Sequence, residues 1–273
     1  MLLAGCAAQQ PALRVCPGKA TAAEALQTLA ARAQSAIPVR ASGRAAITYH
    51  VPDRRKPEQH AMGMQLRLNP PSEVYLQGGI AVDERAVVMG SNQEQFWLAL
   101  RPREISSYYL GEWQEVRDFE GLMMSPMVVL EAVGIVVEPE TMEDAASWTL
   151  RQEGAYDVLT RRDERGRPVK RLHIYACDYT IRKIEYFDPR GRVAAVAQLG
   201  GYQAVAEGFQ TPTRIDIVST RPDQRTDSIR IEIGTVRPTP FTDKQREGLF
   251  QPPRDLNRYE RIYHLKEGQW VLQ

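Results

Sequence analysis

The sequence is poor in the residues that usually carry chemistry. Its 273 residues include only three cysteines and four histidines. The histidines, His50, His60, His173 and His264, are scattered. None shows the His-Glu-x-x-His spacing that puts two imidazoles on one helix face for zinc, and there is no Cys-x-x-Cys pair, so no metal site is expected. No Gly-x-Ser-x-Gly elbow lifts a serine nucleophile out of a strand-to-helix turn. Gly-x-Gly-x-x-Gly and the Walker loop are absent as well, which leaves no cradle for a nucleotide and no cofactor to expect. Charge of one sign is also missing. With 35 basic and 34 acidic side chains, the net charge of +1 exerts no pull toward nucleic acid. No internal stretch is long and apolar enough to span a bilayer as a helix. The carboxylate pairs Asp163-Glu164 and Glu138/Glu140 sit in polar, turn-like stretches where solvated charge is the default. These absences point to a non-catalytic protein.

What is present is a globular composition, 43% apolar and 25% charged, in a chain long enough for a large core. It opens with Leu3-Ala4-Gly5-Cys6, which fits a bacterial lipobox: small residues for the signal-peptidase groove, then a thiol to receive diacylglycerol. Only five residues precede the cysteine, fewer than a full signal peptide has. Cys6 is expected to be lipidated and to anchor the protein to a membrane, since two acyl chains suffice for stable attachment. Ala7, rather than Asp, favours the outer membrane. Residues 1–20 then read as signal remnant and tether. A bridge between Cys16 and Cys177 would pin that tether to the body of the protein, and two unpaired thiols are the alternative, because spacing does not fix pairing.

From residue 21 the pattern becomes regular. Thr21 and Glu24 form a capping box ahead of an apolar stripe through Leu26, Leu29, Ala30, Ala33 and Ile37, and Pro38 ends that helix. Period-two alternation follows, as in Met62-Gly-Met64-Gln-Leu66-Arg-Leu68. Further strands are expected at Val74–Gln77, Ala86–Met89, Gln95–Leu100 and Ile105–Leu110. Ser125-Pro126 starts a helix that Gly134 closes, inside an acidic stretch over roughly 114–152. Strands resume from Tyr156, with Asp188-Pro-Arg-Gly191 as a hairpin turn between two of them. Thr242 to Gly248 reads as a last helical turn, and Tyr259, Tyr263 and Trp270 as anchors in a polar tail. About a dozen sequential strands imply an antiparallel sheet that must curl, with its helices on the concave side.

This order of elements resembles the LolA/LolB lipoprotein-carrier superfamily. The likeness rests on the capped first helix, MQLRLNPPSEVYL as two strands broken by a proline turn, VVMGSNQEQFWLAL, the SPMVVLEAVG helix and IRKIEYFDPRGRVAAVAQL as a late hairpin. The resemblance implies a mainly β fold with some helix: a strongly curved antiparallel sheet forming an open half-barrel, with helices covering its concave face. It implies one domain over 21–250, and the extension 251–273 has no counterpart. It also implies a hydrophobic cavity for acyl chains, those of other lipoproteins included, lined by Met64, Leu66, Leu68, Val74, Leu76, Phe96, Leu98, Met124, Met127 and Leu130. Met123, Met124 and Met127 suit a lid that repacks around flexible ligands. Two features differ from the soluble carriers or echo the anchored receptors. Asn69, not a basic residue, precedes Pro70, and Ile80 stands where the anchored branch displays an apolar loop residue. The implied location is the periplasmic face of the outer membrane. An interaction or sensor module on the same scaffold, and an envelope hydrolase without known motifs, are the other readings.

Overall fold

The computed structural model describes residues 14–50, 56–80, 83–102, 105–115, 131–132, 145–221 and 223–273. The lipobox with Cys6, and Met123, Met124, Met127 and Leu130 with most of the expected second helix, lie outside the described residues.

The first helix forms where its cap and stripe place it. In α1 (Ala22–Gln34) the Thr21 hydroxyl accepts from the Glu24 amide at 3.2 Å, and the Glu24 carboxylate reaches back to the Ala20 amide at 3.1 Å. Ala25, Leu26 and Ala30 are buried, so the stripe faces the protein. Six strands follow: β1 (Val39–Tyr49), β2 (Glu58–Asn69), β3 (Glu73–Ile80), β4 (Asp83–Ser91), β5 (Gln95–Leu100) and β6 (Ser107–Glu112). After a 3-10 turn at Ala145–Ser147 come β7 (Trp148–Glu153), β8 (Tyr156–Arg162), β9 (Pro168–Tyr175), β10 (Thr180–Phe187) and β11 (Val193–Gly200). Near the end of the acidic stretch the described part is that single turn, and Trp148 already belongs to a strand. A small hairpin, β12 (Gln203–Ala206) with β13 (Phe209–Thr211), stands apart from the main sheet. Then β14 (Arg214–Thr220), β15 (Thr226–Pro238), α2 (Asp243–Leu249), β16 (Arg261–Lys266) and β17 (Gln269–Leu272) complete the chain.

Fifteen strands make one sheet, in the order β17-β16-β6-β5-β4-β3-β2-β1-β15-β14-β11-β10-β9-β8-β7. The central strand β1 pairs antiparallel with β2 on one side and with β15 on the other, so it joins an N-terminal wing to a C-terminal wing. The sheet does not close, since its outermost strands are β17 and β7. This is the open half-barrel. One core runs along the inner face of both wings, from Leu66, Leu68 and Val74 to Ile174, Ile184, Ile215 and Ile231, all at most 2% exposed. Residues two apart, as Leu66 and Leu68 are, are those a period-two strand places on one face.

The tail from residue 251 is built into the sheet. Strand β16 pairs parallel with β6, and β17 extends the edge beyond it. Tyr263 stacks on Tyr109 at 4.8 Å, and Trp270 meets Tyr109 edge-on at 5.3 Å. The stretch leading into β16 also covers an outer-face cluster of Val88, Trp97, Ala99 and Tyr108, where Tyr259 packs 5.5 Å from Tyr108. Phe250, wholly buried, accepts through its carbonyl from the Asn92 amide at 3.1 Å.

The N-terminal strap is fastened at the opposite wing. Cys16 and Cys177 form a disulfide across a sequence separation of 161 residues. Around it, the Tyr175 hydroxyl donates to the Arg14 carbonyl at 3.0 Å, and the Lys19 amide donates to buried Asp157 at 2.8 Å.

Candidate functional site

A helix laid across a curved sheet touches it along a line and leaves space where the sheet bends away. Such a space lies between α1 and the inner face of β9, β10 and β11. It is a cavity of about 120 Å³. Leu26 and Leu29 descend from the helix, Leu172, Ile184 and Leu199 rise from the strands, and Phe209 of the small hairpin closes one side. The helix is held over the space at two points. Arg32 donates to the Asp178 carbonyl at 2.5 Å, and the Ser35 hydroxyl donates to the Gly208 carbonyl at 2.8 Å.

One wall carries charge. Lys170 Nζ lies 2.5 Å from Glu131 Oε1, with the two side chains only 10% and 4% exposed. The Tyr186 hydroxyl donates to the other Glu131 oxygen, and Lys170 sits 5.7 Å from the Tyr186 ring centre. A buried pair of this kind contributes little net stability when intact, but losing either partner strands a charge in low dielectric. It therefore fixes the geometry of Glu131 against the sheet. Two phenols complete the lining. Burial raises the pKa of Tyr202, whose hydroxyl donates to the Ile181 carbonyl, and burial raises that of Tyr179, reinforced by Asp157. Both rings stay neutral at physiological pH, so the cavity offers apolar surface and hydrogen bonds, with Lys170 and Glu131 paired to each other and Arg32 bound to the Asp178 carbonyl.

Seven of the residues expected to line a cavity, Met64, Leu66, Leu68, Val74, Leu76, Phe96 and Leu98, do share one inner face, that of the N-terminal wing. Each is at most 4% exposed, and none borders the space beneath α1. Phe96 is packed against Trp113 at 4.7 Å. Ile80 ends β3 opposite Asp83, and its side chain lies outside the described residues. The lining beneath α1 was readable in part. The stripe through Leu26, Leu29 and Ala33 had to face something, and the alternation in β9–β11 supplied a second apolar face. That the two meet depends on contacts more than 130 residues apart.

Two carboxylate–imidazole pairs lie elsewhere. His50 Nδ1 is 3.3 Å from Asp227, whose other oxygen binds Arg221 at 2.5 Å, and Arg221 also donates to the His50 carbonyl. This ties the end of β1 to the β14–β15 turn. His173 lies 3.1 Å from Glu185, which Arg171 and Lys183 also bind at 3.1 and 3.0 Å. Burial would raise the Glu185 pKa, but hydrogen bonds from His173 and Lys183 outweigh it and hold the carboxyl below its ordinary range. Among the described residues there is no group of three or more metal-type ligands.

No protein-family model and no curated protein matches the sequence. Solved structures do match. A domain described as an outer membrane lipoprotein-sorting protein, from Vibrio parahaemolyticus, is 12% identical, with 81% of this chain and 94% of that one covered at a TM-score of 0.55. A LolA superfamily protein from Nitrosomonas europaea is 13% identical over 83% and 97% of the two chains, at a TM-score of 0.50. The fold is LolA-like. A DUF1329 family protein from Desulfovibrio piger shares it at 9% identity, 82% and 95% coverage and a TM-score of 0.52. At these identities the likeness concerns the fold, the open half-barrel with a helix across its concave face. The LolA-like body covers most of the chain.

Proposed function

We propose that this chain is a lipid-anchored envelope protein that takes acyl chains, of lipids or of other lipoproteins, into the hollow beneath α1 without catalysing a reaction. The carrying observation is that hollow: an apolar space between a LolA-like sheet and the helix that crosses it. It is somewhat smaller than the ~150 Å³ engineered cavity that holds benzene. As it stands it seats the end of an acyl chain, and a longer stretch requires α1 to lift at Arg32 and Ser35. Burial of four methylenes would contribute about 3 kcal/mol, at ~0.8 kcal/mol each.

Attachment through a diacylated Cys6 on the periplasmic face of the outer membrane fits the strap. Ten Cα-to-Cα steps lead from Cys6 to Cys16 and reach at most about 35 Å, so the body would ride close to the bilayer with the Cys177 corner nearest. A Cys6→Ser chain should move from membrane to soluble fractions; continued sedimentation with membranes removes the anchor from this reading. Mass spectrometry of protein purified from its native envelope should recover non-covalently bound fatty-acyl species, beyond the chains attached to Cys6. Their absence from gently purified material rejects acyl binding. The second reading, a protein-interaction module without lipid, is favoured by the tight filling of the N-terminal wing and predicts that absence.

A further inference from the structure

The outer face of the sheet carries an arrangement that the lipid-handling reading does not use. Arg40 of β1 stands directly opposite Arg67 of β2 and directly opposite Arg237 of β15. All three belong to the outward set, since their strand neighbours Val39, Ala41, Leu66 and Leu68 are buried inward. Three arginines thus form one row across three adjacent strands at the centre of the sheet. Directly opposite residues have Cβ atoms about 5 Å apart, and like charges at that separation repel.

Among the described residues no acidic side chain neutralises the row. No carboxylate among the described residues forms an ion pair with any of the three, and the nearby Glu73 is bound by Arg246 through two 2.9 Å contacts. Arg67 Nη2 donates to Gln65 at 2.8 Å, whereas Arg67 Nη1 and Arg40 Nε are buried without a hydrogen-bond partner. A guanidinium N–H buried without an acceptor is costly. Burial lowers the Arg67 pKa, and Arg40 and Arg85 lower it further against the opposing influence of Tyr75. The side chains are also held in place: Arg40 lies 5.3 Å from the Phe241 ring centre and Arg67 5.4 Å from that of Tyr75. The next row out is polar and hydroxyl-bearing, with Ser42 between Gln65 and Thr235, and Thr239 borders the same groove.

We propose that this row is a binding site for a phosphate group, with Arg40 at its centre and Arg67 and Arg237 on either side. Three guanidinium forks supply donors to several oxygens of one tetrahedral anion, and the hydroxyls of Ser42 and Thr235 reach the oxygens that remain. The bound anion turns mutual repulsion into shared attraction. The phosphate is either a free anion or the headgroup of a lipid. The site is on the opposite face from the α1 hollow, so it stands or falls independently of acyl binding.

The test uses the full chain with Cys6→Ser, beside Arg40→Gln and Arg237→Gln in the same background. In low-salt buffer without phosphate, Arg40→Gln should melt at or above the parent temperature, because it removes the middle charge. Inorganic phosphate, compared with chloride at equal ionic strength, should raise the parent melting temperature by about 2–4 °C. Both variants should lose most of that rise. Sedimentation with phosphatidylglycerol vesicles, against phosphatidylcholine vesicles, separates the sources. Arginine-dependent pelleting assigns the site to lipid headgroups, and a phosphate response without it assigns the site to the free anion. If phosphate leaves the melting temperature unchanged and vesicle binding is equal in all three chains, the proposal is overturned. A phosphate shift that persists undiminished in both variants overturns it too.

Discussion

The two wings of the sheet solve the same problem differently. In the N-terminal wing the chain covers the whole inner face and, over β4–β6, the outer face as well. Its inner face is close-packed, from Met64 to Leu98, and its outer face buries Trp97 and Tyr108 beneath the tail that ends in β16 and β17. In the C-terminal wing the outer face is polar, with Glu185 among His173, Arg171 and Lys183, and the inner face is bridged by α1, which leaves a hollow. The wing roofed by a single helix, hung from a disulfide-bonded strap, is where space for a ligand exists.

This contrast can be broken most severely at the sealed back. Trp97→Ala, at a wholly buried site, should cost about 3–5 kcal/mol in denaturant unfolding. A cost below ~1 kcal/mol would mean that the tail does not enclose a second core. Cutting the strap comes next. Cys177→Ser should lower stability by about 2–4 kcal/mol, since the bridge closes a very long loop of the unfolded chain. The sharpest comparison uses one enlargement in each wing. Leu66→Phe, in the packed wing, should cost about 1–3 kcal/mol, whereas Leu199→Phe, beside the hollow, should be close to neutral. Equal costs would erase the distinction.

The smallest effect concerns pH. Glu185 titrates below its ordinary range in the folded state, so its contribution is present above the unfolded-state pKa and disappears as pH falls through the folded one. Glu185→Gln should therefore flatten the loss of stability on the acid side of pH 4.5 and lower stability slightly at neutral pH. An unchanged acid slope would show that His173 and Lys183 do not stabilise the ionised carboxyl.

Much of this arrangement is written locally. Thr21 and Glu24 announce α1, and the Asp188–Gly191 turn forms as read. Asp188 accepts from the amides of Arg190 and Arg192 at 2.9 Å, and Gly191 takes the positive φ that lets the hairpin close. The tail was less legible. Arg261–Lys266 has no inward-outward rhythm because β16 is half-buried along most of its length, and it finds a parallel partner some 150 residues earlier. Strand β7 hid for a similar reason: as an edge strand it is mostly exposed, so alternation carries no signal. The hollow was the least visible feature. Leu68 and Leu199 look alike in sequence, and only the placement of α1 over β9–β11 decides that one is filled around and the other is not.

The central claim is that the space under α1 receives acyl chains. It is tested most directly by titrating a fluorescent fatty acid into the parent chain, into Ala33→Trp, which plugs the hollow, and into Leu66→Phe, which alters the packed wing. Saturable binding by the parent and by Leu66→Phe, with at least a tenfold loss in Ala33→Trp, is the predicted result. Equal binding by Ala33→Trp and the parent, or no binding by any of the three, would contradict the account.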